Sequence, residues 1–475
     1  MIASKTYPIS ARWRLRPRER RTLLILVDLL MAMLALFIAI YVWSEADIYQ
    51  TLTLSFMRRL PTWFYVLPFA WPILMARLYD EHRARDPKQT LSNIAFSALI
   101  GLGFYMVFYF TYQTPKALPR IGVAAFIISV FILTLFWRLL YIRIFTAPQF
   151  MRRMLLVGAG DTGKIMLKIV NQIKPRPYIL AGIIDDDPQK IGKVIEGYEV
   201  FGGCEKLLEA IGAQQITDLI VAISGQMKGG MFQALLDAQE SGIEIVRMPV
   251  AYEELLHRVP IRYLEAEWIL RSFVDKARPE TFSEMLKRAS DIVGGLIGML
   301  FFAVVYPFVA IATLLESGRP ILYKQIRMGR NGQLYDIYKF RTMRQDAEAD
   351  GQPQWAEEND RRATKVGLFL RKTHIDEIPQ FYNVLRGEMS LVGPRAERPE
   401  LVEWFQKHVP FYRARLLVRP GMTGWAQVNQ QYASTIDETI EKLEYDLYYI
   451  MHRNFLMDLR IIAITPSLVF SLRGR

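Results

Sequence analysis

Residues 292–315 read IVGGLIGMLFFAVVYPFVAIATLL, and the way this run meets a membrane decides the architecture of everything after it. Its 24 residues exceed the ~20 that a helix needs to cross ~30 Å of hydrocarbon. The flanks argue against a crossing. Lys287 and Arg288 precede the run, and Arg319, Lys324, Arg327 and Arg330 follow it, whereas a spanning helix gathers its cations on one side. Pro307 lies inside, where it removes a helix hydrogen bond and bends the axis. Gly294, Gly295 and Gly298 leave room for close neighbours. Residues 291–315 therefore read as a re-entrant helix–break–helix that enters and leaves one leaflet, with Pro307 at the break. The alternative is a full crossing, which would carry residues 316–475 to the other face.

Upstream of this hairpin the chain divides by composition. Its 475 residues suffice for two or three domains. They are 52% hydrophobic, with a mean hydropathy of +0.13, and the excess falls in four apolar stretches near 23–43, 61–78, 91–112 and 121–142. These predict a four-span transmembrane bundle over 23–145, its second span weakened by Pro68 and Pro72. Residues 1–22 are a basic segment with Lys5, Arg12, Arg14, Arg16, Arg18, Arg20 and Arg21. Arg77, Arg83, Arg85 and Lys88 lie between the second and third spans, while the other loops hold Arg58 and Arg59, and Lys116 and Arg120. This asymmetry places the N-terminus, and everything from Arg143 onward, on the cytoplasmic side. A net charge of +12 could serve nucleic acid, but the cations crowd beside apolar runs. That placement fits attraction to an anionic lipid bilayer, and no nucleic-acid partner is expected. Cys204 is the only cysteine, which excludes a disulfide framework and a thiolate zinc site. No cleavable signal is evident, because no small-residue cleavage motif follows the first apolar run.

Between bundle and hairpin the register changes to alternating strands and helices, predicting a Rossmann-like parallel-sheet module over 150–270. The strand 154–157 leads into Gly158-Ala159-Gly160-Asp161-Thr162-Gly163 and a helix to about Ile173, a G-x-G-x-x-G in its strand–turn–helix setting. The next strand, 180–184, ends at Asp185, an acid placed to meet a ribose; 216–223 and 243–248 read as further strands. Gly158, Gly160, Gly163 and Asp185 are thus the candidate nucleotide-binding residues. A tight turn inherited with the fold, in a regulatory or oligomerisation module, is the leading account of them. A nucleotide-sugar oxidoreductase is disfavoured, since no YxxxK pair occurs in this segment.

Downstream, residues 371–395 read RKTHIDEIPQFYNVLRGEMSLVGPR. Asp376 and Glu377 stand before a helical pattern of Ile378, Phe381, Tyr382 and Leu385 that stops at Gly387, with Pro379 in the first turn. This predicts Asp376 as N-cap and Glu377 in the first turn, both in the positive field of the helix start. Two acids there, flanked by Arg371, Lys372 and Arg395, suit phosphate chemistry assisted by a divalent metal held by Asp376 and Glu377. An ordinary cap with surface ion pairs stays open on these residues alone.

Four motifs in order, Tyr338-Lys339-Phe340-Arg341-Thr342-Met343, the Asp376-Glu377 pair, GEMSLVGPR ending at Arg395, and Arg419-Pro420-Gly421-Met422-Thr423-Gly424-Trp425-Ala426-Gln427-Val428, resemble the bacterial polyprenyl-phosphate sugar-1-phosphate transferases. The resemblance covers residues 282–475, and the bundle with its Rossmann-like module is similar to the long form of that family. It implies a membrane protein of α plus α/β class with a mainly α catalytic domain over 282–475 on the cytoplasmic face of the bacterial inner membrane. It implies transfer of a sugar phosphate from a UDP-sugar to undecaprenyl phosphate with release of UMP, initiating exopolysaccharide or O-antigen synthesis. Asp376 matches the family's nucleophile, forming an acyl phosphate, and Glu377 the acid placed with Mg²⁺. Lys339, Arg341, Arg371, Arg395, Arg419, Thr423, Gln427 and Asp446 are the candidate substrate-binding residues, and a homodimer is expected. Tyr306-Pro307 departs from the Ser-Pro common at the hairpin bend, and Ala396 stands where a second proline is usual. A non-catalytic scaffold of a polysaccharide assembly complex is the alternative of a different class.

Overall fold

The computed structural model describes residues 17–46, 52–79, 84, 86–111, 120–145, 151–174, 176, 178–263, 281–344, 362–430 and 435–469. Most of the basic N-terminal segment, Arg83, Arg85, Lys116 and the stretch 264–280 lie outside them. The chain forms two compact units, Met1–Ala251 and Tyr252–Arg475.

The first unit begins with helices. α1 (Pro17–Ala46), α4 (Pro87–Thr111) and α5 (Arg120–Phe145) are long and match three of the four expected spans. The second span is not a single helix. After the short α2 (Leu54–Arg59) come a 3₁₀ turn at Thr62–Val66, α3 (Leu67–Leu74) and another 3₁₀ turn at Ala76–Tyr79. Pro61, Pro68 and Pro72 account for the fragmentation, because each removes an N–H from the helical ladder. The pieces are held through polar side chains sealed from solvent. Arg138 on α5 pairs with Asp28 on α1 at 2.5 Å and donates to the Leu78 carbonyl at 3.1 Å, while Trp71 Nε1 donates to Thr134 Oγ1 at 3.1 Å. A charge remains in such an interior only with its donors and acceptors all answered from within.

The module then folds as a six-stranded sheet of order β3-β4-β2-β1-β5-β6. β1 (Arg153–Val157), β2 (Ile179–Ile184), β4 (Tyr198–Gly202), β5 (Asp218–Val221) and β6 (Glu244–Arg247) run parallel, and β3 (Val194–Ile195) pairs antiparallel with β4. The helices α6 (Asp161–Gln172), α7 (Leu207–Gln214) and α8 (Gly229–Glu240) connect them. The four strands read from sequence are present. The β3–β4 pair was not foreseen, because its exposed Val194 and polar residues show no buried period. Gly158 has φ +103°, and a Cβ on Gly163 would lie 2.1 Å from the Gly158 carbonyl oxygen, so the loop geometry needs glycine at both. Asp185, expected at a ribose, turns onto the loop itself. Its carboxylate accepts from Ala159 N at 2.6 Å and Asp187 N at 2.9 Å, and lies 3.3 Å from Lys190 Nζ. Burial opposes the charge, yet these donors outweigh it and hold the Asp185 carboxyl below its usual range.

α9 (Met248–Leu256) leads into the second unit, which holds α10 (Thr281–Ser317), the hairpin β7 (Leu322–Met328) with β8 (Leu334–Phe340), and α11 (Lys365–Lys372). Then come α12 (Phe381–Arg386), β9 (Ser390–Val392), α13 (Pro399–His408), β10 (Gly421–Thr423), α14 (Trp425–Asn429), α15 (Ile436–His452) and α16 (Phe455–Val469). The helix–break–helix expected over 291–315 is instead one uninterrupted helix of 37 residues, α10, with Pro307 inside it. Proline costs a hydrogen bond but not the helical path when packing holds both sides. Here Phe302 and Tyr306 lie against Phe340, centroids 5.7 and 6.2 Å away. Gly294, Gly295 and Gly298 admit Leu391, Leu385 and Phe381, whose atoms lie where a Cβ would stand. The opposite face exposes Val293, Ile297, Leu300, Val304, Phe308, Ile311 and Leu315. Glu19–Ala46, Pro87–Val107, Arg120–Phe145 and Phe282–Ser317 are long and apolar enough to cross a membrane.

Candidate active site

The carboxylate pair does not cap an α-helix as expected. His374, at φ 57°, opens a 3₁₀ turn over Ile375–Gln380 that contains Asp376 and Glu377, and α12 starts only at Phe381. Pro379 lacks the N–H that an earlier α-turn would need, so the tighter turn precedes the helix. Gly387 at φ 82° ends α12, as its position implied.

This turn packs on β8, and Asn383 fixes the distance. Its side chain, fully buried, accepts from Tyr338 N at 3.2 Å and donates to the Asp336 carbonyl at 2.8 Å. Lys339, the next residue on the strand, thereby stands over the acids, its Nζ 2.6 Å from Glu377 Oε1 and 4.0 Å from Asp376. Arg395 arrives from the other side, donating to the same Glu377 Oε1 at 2.7 Å. Its approach depends on glycines in two motifs. A Cβ on Gly421 would lie 2.1 Å from Gly393 N, and one on Gly424 2.3 Å from the Gly393 oxygen. The segments GEMSLVGPR and RPGMTGW therefore cross backbone on backbone, and β9 pairs with β10 in parallel.

Burial is the largest influence on Asp376 and pushes its carboxyl up to about 6, against the pull of Lys339, Arg395 and Arg371. Glu377 is equally enclosed, but Arg395 and Lys339 outweigh burial and hold it well below the usual carboxylate range. Two adjacent acids thus have different characters. Glu377 is a locked anion. The Asp376 side chain, to which no hydrogen bond forms among the described residues, is a desolvated carboxyl with cations near but not upon it. One oxygen of Glu377 takes both cations; the remaining carboxylate oxygens suit Mg²⁺, which is bound through one or two carboxylates and substrate phosphates.

Of the other candidates, Arg371 contributes its field to Asp376 from the last turn of α11. Arg341 does not join the site: buried, it donates to the carbonyls of Ser317, Gly318 and Arg319 at 2.8, 2.6 and 2.8 Å, closing the C-terminus of α10. Asp446 is likewise buried and pairs with Arg415 at 2.9 Å. Thr423 bonds Thr465 Oγ1 at 2.9 Å, and Gln427 donates to the Met422 carbonyl at 3.2 Å, so both shape the glycine crossing. Arg419 is half-buried, with no ion pair among the described residues. Asn383, Arg415 and Glu397 were not foreseen. Asn383 sits in a helical pattern where only its burial distinguishes it, and nothing in the spacing of Arg415 and Glu397 announces a pair.

Comparison with known proteins gives two families. Residues 282–472 match the bacterial sugar transferase family and residues 75–249 a CoA-binding domain. The UDP-N-acetylgalactosamine-undecaprenyl-phosphate N-acetylgalactosaminephosphotransferase of Aeromonas hydrophila is 42% identical over 39% of this chain and 44% of its own length. The UDP-glucose:undecaprenyl-phosphate glucose-1-phosphate transferase of Escherichia coli is 39% identical over 38% of this chain and 40% of its own. The matched regions span less than half the length of these two relatives. The exopolysaccharide production protein PSS of Rhizobium leguminosarum bv. phaseoli is 40% identical over 38% of this chain, and that match covers 92% of the shorter protein.

Proposed function

The chain belongs to the bacterial sugar transferase family, and from that premise we propose that it transfers a sugar phosphate from a UDP-sugar to undecaprenyl phosphate at the membrane surface. The desolvated Asp376 beneath Lys339, Arg395 and Arg371 is the observation that carries this reading. A carboxylate oxygen of Asp376 attacks the phosphorus bearing the sugar, and the bond to the bridging oxygen breaks with its electron pair leaving on UMP. An oxygen of undecaprenyl phosphate then attacks the same phosphorus and displaces the carboxylate, giving the diphosphate-linked sugar. The acceptor is already an anion, so no general base is required.

The cations do the remaining work, because phosphoryl transfer is chiefly positioning and charge neutralisation. Arg395 offers a planar fork to phosphate oxygens, and Lys339 a point charge. Both are preplaced by Glu377, so a diphosphate enters a site whose donors already converge. Asp376 and Glu377 would hold Mg²⁺, which supplies neutralisation of phosphate oxygens when bound. Relatives carry names with different sugars, and the sugar for this chain is left to experiment.

The test is UMP release from a panel of UDP-sugars with undecaprenyl phosphate and Mg²⁺ in bilayer or detergent. One sugar nucleotide should be consumed, with a phosphosugar adduct on the wild-type chain and none on Asp376→Asn. Undiminished turnover by that variant would sink the proposal.

A further inference from the structure

Arg395 reaches Glu377 only if its side chain is aimed, and the structure shows what holds its backbone. The three carbonyls from Arg395 onward are each engaged. Arg415 Nη2 donates to Arg395 O at 3.0 Å, Arg327 Nη1 to Ala396 O at 3.2 Å, and Met328 N to Glu397 O at 3.0 Å. Only the first of these hangs on a sealed ion pair. The same Arg415 Nη2 donates to Asp446 at 2.9 Å, and Nη1 donates to Tyr412 Oη at 2.7 Å and lies 3.5 Å from Glu397. The Arg415 and Asp446 side chains are 3% and 2% exposed, so the pair is almost wholly shut away from solvent.

We propose that Arg415, held by Asp446 and Tyr412, is a positioning residue that sets the reach of Arg395 by fixing its main-chain carbonyl. A buried ion pair is generally no more stabilising than apolar side chains of the same volume, so stability alone gives no reason for this one. Geometry does. A guanidinium fork binds several acceptors at fixed angles, which an ammonium or an apolar side chain cannot reproduce. The grip falls on the peptide of the arginine that bridges to Glu377 just after β9, and it comes from the 3₁₀ turn Tyr412–Leu417, which Asp446 on α15 anchors.

The assignment rests on the transferase reading, and the experiment separates the two. Full-length wild type, R415K, R395K and the double variant are compared for UMP release in nanodiscs, with KM measured for the UDP-sugar and for undecaprenyl phosphate separately. R415K should raise the donor KM about tenfold and leave the acceptor KM within about twofold, as expected when a shared donor contact is lost. In the R395K background, R415K should add nothing further, since residues acting as one unit are not additive. Y412F, which removes a single bond to the fork, should move the donor KM the same way by less, and it serves if R415K does not fold. A fall in kcat alone with both KM values unchanged, or losses that multiply in the double variant, would overturn the assignment. A wild-type chain that releases no UMP from any UDP-sugar overturns the functional reading, and this assignment with it.

Discussion

Arg341 and Arg395 look alike in sequence, each an arginine within a motif of the transferase resemblance, and the structure gives them opposite duties. Arg341 answers three carbonyls at the end of α10, and Arg395 answers Glu377. Arg341→Lys should therefore cost stability, about 1–3 kcal/mol for hydrogen bonds to a charged group, while the donor KM of the folded fraction stays put. Thermal unfolding read beside kinetics checks it; a changed donor KM at unchanged stability would contradict the capping role. Asp376 supports a second expectation. Its carboxyl, raised to about 6, holds a proton more tightly when folded than when unfolded. Between about pH 4, its unfolded value, and pH 6, rising pH therefore removes stability, and above 6 the loss is complete. Asp376→Asn removes that penalty, so it should unfold at a higher temperature than the wild type at pH 7.5 while making no product. An unfolding midpoint equal to or below the wild type's would refute this. The acid pair was legible because adjacency and motif context point to the same residues. The fate of Arg341 was not, because a strand residue's direction depends on what it packs against.

At the scale of elements, the segment 252–263 is the main surprise. Tyr252 Oη donates to Glu444 at 3.0 Å, Val259 N to the Glu444 carbonyl at 3.1 Å, and Trp425 Nε1 to the His257 carbonyl at 2.9 Å, while Arg258 pairs with Glu441. Val259 and Ile261 lie in the same core as Val392, Phe405, Leu447 and Ile450. In sequence this stretch falls within the 150–270 read as the Rossmann-like module, and periodicity cannot say which core a segment serves. A chain starting at residue 252 should accordingly be more resistant to heat than one starting at 282, which loses these bonds; equal midpoints would dismiss the brace. Glu444 beneath it gives a pH signature. Burial pushes its carboxyl up to about 7, against the pull of Arg258 and the bond from Tyr252. A folded value above the unfolded one of about 4.3 means that the stabilising proton is fully present below that pH and lost as pH rises through 7. Glu444→Gln keeps the Tyr252 contact without the titration, so its midpoint should fall less than the wild type's between pH 5.5 and 8.5, and a parallel fall would reject the assignment.

For the whole molecule the decisive question is whether α10 crosses, and from the grips on its two ends we predict that it stays in one leaflet. Near its start, Arg288 donates to the Val384 and Leu385 carbonyls at 2.8 and 2.7 Å, and Lys287 pairs with Asp458 at 2.6 Å. Near its end, Glu316 accepts from Lys365 N and Val366 N at 2.7 and 2.8 Å. At ~1.5 Å per residue these grips are ~44 Å apart along the helix, more than the ~30 Å of hydrocarbon. One compact unit touches both, so a crossing would drag strands and irregular backbone through lipid, where their polar groups have no partners. A helix lying in the surface instead needs one apolar face and one face on the protein, which is the division α10 shows between Val293–Leu315 and its three packed glycines. The flanking cations point to the same prediction from sequence; the continuity through Pro307 was not legible, since proline signals a bend without saying whether packing will bridge it. The topology can be read with one native thiol removed. In a Cys204→Ser background, single cysteines are placed at Lys193, before α10, and at Lys324, after it, both exposed. An impermeant maleimide should reach both from the same face: neither in intact cells, both in inverted vesicles. Labelling of the Lys324 position alone from outside would put the carboxylates across the bilayer from cytosolic sugar nucleotides, and no donor could then reach Asp376.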